Sequence, residues 1–167
     1  FEHNGLYWSK VPGTEAARSI EPSADYVIPF GKARTALSCE PSPSQSSLAV
    51  ITYGMGVHWA LNAATSYQGR VEILDLRTLH PLDESAMYAA VRKHNRALVV
   101  TEEPVSNSFA QSIASRIQEH CFESLDAPVR VIGAADMPAI PLNSTLEKEM
   151  IPSTEKVAVA IGKLLDY

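Results

Sequence analysis

From residue 48 onward, two kinds of apolar pattern alternate along the chain. Leu48-Ala49-Val50-Ile51-Thr52-Tyr53 and Ala97-Leu98-Val99-Val100-Thr101 are short, nearly unbroken apolar runs, the pattern of strands covered on both faces by helices. Val71-Glu72-Ile73-Leu74-Asp75-Leu76 and Val129-Arg130-Val131-Ile132 carry polar interruptions, which places them nearer an edge of the sheet. The intervening stretches repeat at helical spacing. Asp83 can cap a helix whose apolar side holds Met87, Ala90 and Val91, with Arg92, Lys93 and His94 complementing its C-terminal dipole before Asn95 stops it. Asn107 or Ser108 can cap a helix carrying Phe109, Ile113 and Ile117 at four-residue spacing, and Ser153 starts one with Val157, Ile161, Leu164 and Leu165 on one stripe. This alternation predicts a three-layer α/β/α fold around a mostly parallel sheet.

Upstream the pattern weakens. Residues 33–38 form a short strand candidate, and Glu40-Pro41-Ser42-Pro43-Ser44-Gln45-Ser46-Ser47 has the composition of a solvated loop. Residues 9–30 hold Pro12, Gly13, Pro22 and Pro29 with little periodicity. They are expected to connect a preceding domain to a domain at residues 31–167.

Composition narrows the classes of function. A chain of 167 residues, 46% hydrophobic and 20% charged, can bury roughly 70% of its unfolded surface and belongs with folded, soluble proteins. Its net charge of -5 argues against nucleic acid as a partner. No apolar run approaches the ~20 residues of a membrane span, and no signal peptide opens the chain. Cys39 and Cys121 are too few for a disulfide framework, which fits a cytoplasmic protein. The opening Phe1-Glu2-His3-Asn4-Gly5-Leu6-Tyr7-Trp8, without a start methionine, is expected to be the interior of a longer chain.

Candidate chemistry is sparse. Gly54 and Gly56 stand between a strand and a helix, with Asp75 21 residues after Gly54, where a dinucleotide fingerprint and its ribose-binding acid would lie. The third glycine of that fingerprint is replaced by Trp59, whose indole would block close packing, so a structural turn is the better reading. The histidines His3, His58, His80, His94 and His120 are scattered, without the spacing of a helical metal site. His80 is the exception in position, since it follows Asp75-Leu76-Arg77-Thr78-Leu79 near the end of a strand. Arg77 is expected to pair with Asp75 or Glu102. Glu102 and Glu103 end another strand, where a carboxylate raised by burial can act as a base. With no neighbouring nucleophile, the acid pair is better read as capping adjacent loops.

An ordered series of segments adds a resemblance. Phe1 to Tyr7, Tyr26-Val27-Ile28-Pro29-Phe30-Gly31-Lys32-Ala33, Val50-Ile51-Thr52-Tyr53-Gly54-Met55-Gly56, Glu72-Ile73-Leu74-Asp75-Leu76-Arg77-Thr78-Leu79-His80-Pro81-Leu82-Asp83, Leu125-Asp126-Ala127-Pro128-Val129 and Leu146-Glu147-Lys148-Glu149-Met150-Ile151-Pro152 together resemble the C-terminal domain of the beta-type half of thiamine-diphosphate-dependent 2-oxoacid dehydrogenases, the pyruvate and branched-chain 2-oxoacid family. The resemblance implies a transketolase C-terminal-type fold, a five-stranded mixed sheet whose antiparallel strand would be that near residues 33–38. It also implies that residues 1–8 end a preceding pyrimidine-binding domain.

In the whole enzyme, thiamine diphosphate and Mg would be held by the alpha-type half, separate or fused in the same chain, so this fragment alone would bind neither and carry no catalytic residue. Departures at Asn107-Ser108, where many relatives have a glycine pair, and at His80 resemble a subgroup with fused halves. The implied partners are the alpha-type half, a second copy in a homodimer, and a dihydrolipoyl acyltransferase that receives the acyl group on lipoamide. Residues 119–167 hold eight acids and four bases, and in relatives this end receives a basic acyltransferase module. Glu123, Asp126 and the Tyr167 carboxylate are therefore the docking candidates, with Asp75, Arg77, His80 and Glu102 as structural or interface candidates. The equivalent domain of a transketolase or deoxyxylulose-phosphate synthase, and a non-catalytic small-ligand or protein-binding α/β module, are the alternatives.

Overall fold

The computed structural model describes residues 3–7 and 11–167. The elements run α1 (Asn4–Tyr7), β1 (Arg34–Leu37), β2 (Leu48–Thr52), α2 (Met55–Ala64), β3 (Val71–Asp75), α3 (Glu84–His94), β4 (Ala97–Pro104), α4 (Phe109–Cys121), β5 (Arg130–Ala134), α5 (Ser144–Met150) and α6 (Thr154–Leu165). One sheet carries the strands in the order β1-β3-β2-β4-β5. Only β1 runs antiparallel, paired with β3, as expected for the strand near residues 33–38.

The two-residue period of the strands divides the core. Leu48, Val50, Val71, Ile73, Leu98 and Val100 point to one face, where they meet Met55, Trp59 and Ala60 of α2 and Val157, Ile161 and Leu164 of α6. Ala49, Ile51, Leu74, Ala97 and Val99 point to the other, against Met87 and Val91 of α3 and Ile113 and Ile117 of α4. All five residues of β2 are buried, so its run had no need to alternate. Each fully buried Leu, Ile or Val contributes on the order of 1.5–3 kcal/mol. Of the two interrupted runs, β5 is an edge strand, while β3 is covered on its outer side by β1.

The caps follow the sequence. The Asp83 side chain accepts from the Ala86 N–H, Ser108 from the Gln111 N–H and Ser153 from the Lys156 N–H. Asn95 closes α3 at φ 59°, in the left-handed region that asparagine tolerates. Asn107 has the same φ, again in the region asparagine tolerates, while the cap itself falls to Ser108.

Trp59 does not hold α2 off the sheet. The close approach is made three residues earlier by Gly56, where a Cβ would collide with the Thr52 hydroxyl and come within 3.1 Å of the Val100 carbonyl. The indole packs into the core beside it.

Candidate functional site

The chain leaves β2 through α2 to β3, then crosses back to β4 on the other side of β2. The carboxyl ends of β2 and β4 therefore flank the point where the winding direction reverses, the usual ligand crevice of open α/β sheets. A cleft of about 240 Å³ opens there, lined by His3, Tyr53, Gly54, Met55, Leu79, Thr101, Glu102, Glu103 and Phe109. The pairing of Thr52 with Val100 brings Tyr53 beside Thr101. The Tyr53 hydroxyl donates to Glu103 Oε1 at 2.7 Å and lies 2.9 Å from Thr101 Oγ1. Glu103 Oε1 also accepts from the Ala110 N–H at 3.4 Å, in the first turn of α4, which is the capping expected of the acid pair. Burial, reinforced by the Glu103 carboxylate, pushes the Tyr53 phenol well above its usual pKa. The phenol therefore serves as a donor and is held from acting as a base.

Glu102 turns the other way and takes His3 Nε2 at 2.6 Å. Asp75 pairs with Arg34 at 3.3 Å and accepts the Arg77 N–H at 3.1 Å. The expected ion pair of Arg77 with Asp75 or Glu102 is thus not formed. Arg77 sits at φ 57° with its side chain exposed, because the chain reverses there and β1 supplies Asp75 with a nearer cation. His80 is also exposed.

On the other side of Gly54 lies a larger cavity of about 460 Å³ between residues 16–19 and the domain, lined among others by Arg34, Asp75 and His58. Burial lowers the His58 pKa, with Asp75 opposing. The larger cavity also holds Ser19, and in the cleft the Thr101 hydroxyl lies 3.3 Å from Glu103 Oε1.

Glu123 and Asp126 lie at the opposite end of the sheet, near the start of β4: Asn95 Nδ2 donates to the Ser124 carbonyl and the Asp126 N–H to the Asn95 carbonyl. Asp126 is exposed and pairs with Arg96 at 3.2 Å. Tyr167, also exposed, follows α6 to that same end, where the Ser46 hydroxyl just before β2 donates to the Leu165 carbonyl. Asp75 and Glu102 thus belong to the cleft end, and Glu123, Asp126 and Tyr167 to the far end.

The sequence reading missed Tyr53 and Arg34. Aligning the two apolar runs ending at Tyr53 and Thr101 as neighbouring parallel strands would have put the phenol beside the acid pair. Arg34 depends on the antiparallel register of β1 and carries no local signal.

The described residues contain no helix long and apolar enough to cross a membrane. The family described as transketolase, C-terminal domain, matches residues 39–157. The whole chain is 36% identical to the 2-oxoisovalerate dehydrogenase subunit beta of Bacillus subtilis, covering 48% of that protein. It is 33% identical over 92% of its length to the pyruvate dehydrogenase E1 component subunit beta of Rickettsia felis, of which it covers 44%. It is 32% identical over 98% of its length to the acetoin:2,6-dichlorophenolindophenol oxidoreductase subunit beta of Cupriavidus necator, of which it covers 45%. The chain spans about half the length of these curated relatives. Among solved structures, a split-gene transketolase described as an inactive beta4 tetramer shares the fold with a TM-score of 0.68 at 16% identity, over 86% of this chain and 45% of that one. By the match across residues 39–157 and the mixed five-stranded sheet, the chain belongs to the family of transketolase C-terminal domains.

Proposed function

We propose that this chain is the C-terminal assembly and docking domain of the beta-type half of a 2-oxoacid dehydrogenase that decarboxylates its substrate and passes the acyl group to lipoamide. The observation that carries the reading is the 36% identity running through the entire chain to a 2-oxoisovalerate dehydrogenase beta subunit. In this reading residues 1–8 end a pyrimidine-binding domain and residues 9–30 connect it to residues 31–167; residues 1–2 and 8–10 lie outside the described ones. The partners are an alpha-type half, a second copy and a dihydrolipoyl acyltransferase. Glu123, Asp126 and Tyr167 form the acyltransferase docking end.

Thiamine diphosphate would supply the ylid that attacks the 2-oxo carbon. The cleft at β2 and β4 does not fit its pyrophosphate, because Glu102 and Glu103 offer negative charge there. Cofactor and Mg would be held by other parts of the enzyme. The role of this domain is then to hold neighbours in place, with the cleft as a contact for the preceding segment through His3 and Glu102.

The test is to express the full-length protein with an alpha-type half and measure oxidation of 2-oxoisovalerate, pyruvate and acetoin with an artificial electron acceptor. Turnover of a 2-oxoacid dependent on thiamine diphosphate is expected. Turnover of acetoin alone, or ketol transfer between sugar phosphates, would overturn the proposal. Calorimetry on the isolated chain with thiamine diphosphate and Mg is expected to show no binding heat, and micromolar binding would contradict the assignment of the cofactor to the rest of the enzyme.

A further inference from the structure

We propose that the outer edge of β5 and the adjoining face of α6 form a docking groove for an acidic, extended segment of a partner protein, which would add to the sheet as a sixth strand. The sheet ends at β5, whose described pairing is with β4 alone. Beyond Ala134 the free edge closes, because the Ala135 N–H donates to the Met150 carbonyl at 2.9 Å. An edge of this kind presents unpaired amides and carbonyls to any chain that can lie alongside.

The edge is not bare. A groove of about 180 Å³ runs along it, with Ile132 and Ala160 in its floor and Arg130, Lys156, Val159 and Lys163 around it. Positions 156, 159, 160 and 163 form one stripe of α6, separate from the buried stripe of Val157, Ile161 and Leu164. Val159 is exposed on this stripe, an apolar residue on the solvent side of an amphipathic helix.

Charge decides what such a groove takes. Residues 119–167 contain eight acids and four bases, yet three of those bases and none of the acids line the groove. Lys156 already donates to the carbonyls of Lys148, Glu149 and Ile151. Arg130 and Lys163 form no ion pair among the described residues, which leaves two cations flanking an unpaired strand in a chain of net charge -5. Two cations are too few to hold a nucleic-acid backbone against that net charge. Arg130 and Ile132 are two residues apart on β5 and share the face turned to α6, so an acidic peptide strand fits whose main chain pairs with β5 and whose side chains on that one face, at every second position, include an apolar group for Ile132 and Val159 and carboxylates for Arg130 and Lys163. The rival account is that the two bases guard the edge against pairing, and it predicts that no strand binds.

The probe is a short fluorescein-labelled peptide with glutamate and valine in turn at every second position and threonine between them, titrated against the full-length protein by anisotropy. Saturable binding is expected, weakened about tenfold or more in the Arg130→Glu, Lys163→Glu double variant. A peptide N-methylated at every second amide, tested on the unaltered protein, is expected to lose binding because it cannot complete the ladder. A lysine-valine peptide is expected not to bind. Absence of binding by the glutamate-valine peptide, undiminished binding of the N-methylated one, or equal affinity for the folded double variant would each overturn the proposal. Arg130 opens β5 and Lys163 lies in the last turn of α6, so the double variant also changes the charge beside the proposed acyltransferase end, and the N-methylated peptide on the unaltered protein is the arm that isolates the groove.

Discussion

At the scale of single residues, buried polar groups and one glycine carry the consequences. Of Lys93 and His94, which the sequence presents as cations serving the dipole of α3, His94 is drawn into the interior and Lys93 is half-buried. Lys93 bridges Glu72 at 2.7 Å and Glu40 at 3.0 Å, and His94 Nδ1 meets the Ser47 hydroxyl at 2.8 Å. Burial lowers the His94 pKa despite the raising effect of Glu72, and burial likewise lowers that of His58. Both imidazoles are therefore neutral in the native state near pH 7. In the unfolded chain they titrate near pH 6.5, so as pH falls below about 7 the unfolded state binds protons that the native state refuses, and stability declines. Urea unfolding midpoints followed from about pH 7 to about pH 5 should fall, and the fall should be shallower in His94→Asn. Gly56→Ala should cost about 1–3 kcal/mol in the same assay, because the added methyl meets the Thr52 hydroxyl and the Val100 carbonyl, which is backbone and cannot swing away. Neither effect is legible in the sequence: the spacing identifies a glycine turn, but which glycine touches the sheet depends on how α2 settles over β4.

Elements were legible where local chemistry sets them. The caps at Asp83, Ser108 and Ser153 and the stop at Asn95 lie where the residue types demand, since each satisfies amides within its own turn. The helix α5 carried too little pattern to be seen: of its seven residues only Met150 is buried. Strand β4 runs past the apolar run to Pro104, because β5 stays alongside through an irregular register that pairs Pro104 with Ala134. Asp83 links two elements. Besides capping α3 it accepts the Ala33 N–H at 3.0 Å, which holds the approach to β1. Burial alone would raise its carboxyl, but the bonds from Ala33, Ser85 and Ala86 outweigh it and hold the pKa below the usual value. Asp83→Ala should lower stability by about 1–2 kcal/mol at neutral pH. Because its pKa is depressed in the fold, the difference from the parent should persist above pH 4 or so and vanish as acid protonates the native carboxylate. A constant difference down to strongly acid pH would show that the loss is packing alone.

At the scale of the molecule, the sheet separates two ends with different chemistry, and a linear pattern cannot reveal which residues share an end. The alternation of strands and helices implied the layers, and the family resemblance supplied the antiparallel strand, but the order β1-β3-β2-β4-β5 is a matter of long-range pairing. That order puts Tyr53, Glu102 and Glu103 at one end and Glu123, Asp126 and Tyr167 at the other. If the far end receives a basic acyltransferase module, as proposed, Asp126 matters in two ways. Its carboxylate attracts the module, and it neutralises Arg96, whose side chain is only 12% exposed. Asp126→Ala removes the attraction and leaves a cation facing a cationic partner, so it should weaken binding more than loss of one exposed ion pair, about three- to tenfold at low salt. Arg96→Ala in the same background should recover part of that loss. All of these differences should shrink as salt screens the charges, and turnover of a free 2-oxoacid with an artificial acceptor should remain unchanged. Binding of an acyltransferase fragment to the parent enzyme, measured across salt concentrations, checks the set. Equal affinity and equal salt dependence in parent and Asp126→Ala would remove this end of the sheet from the interface.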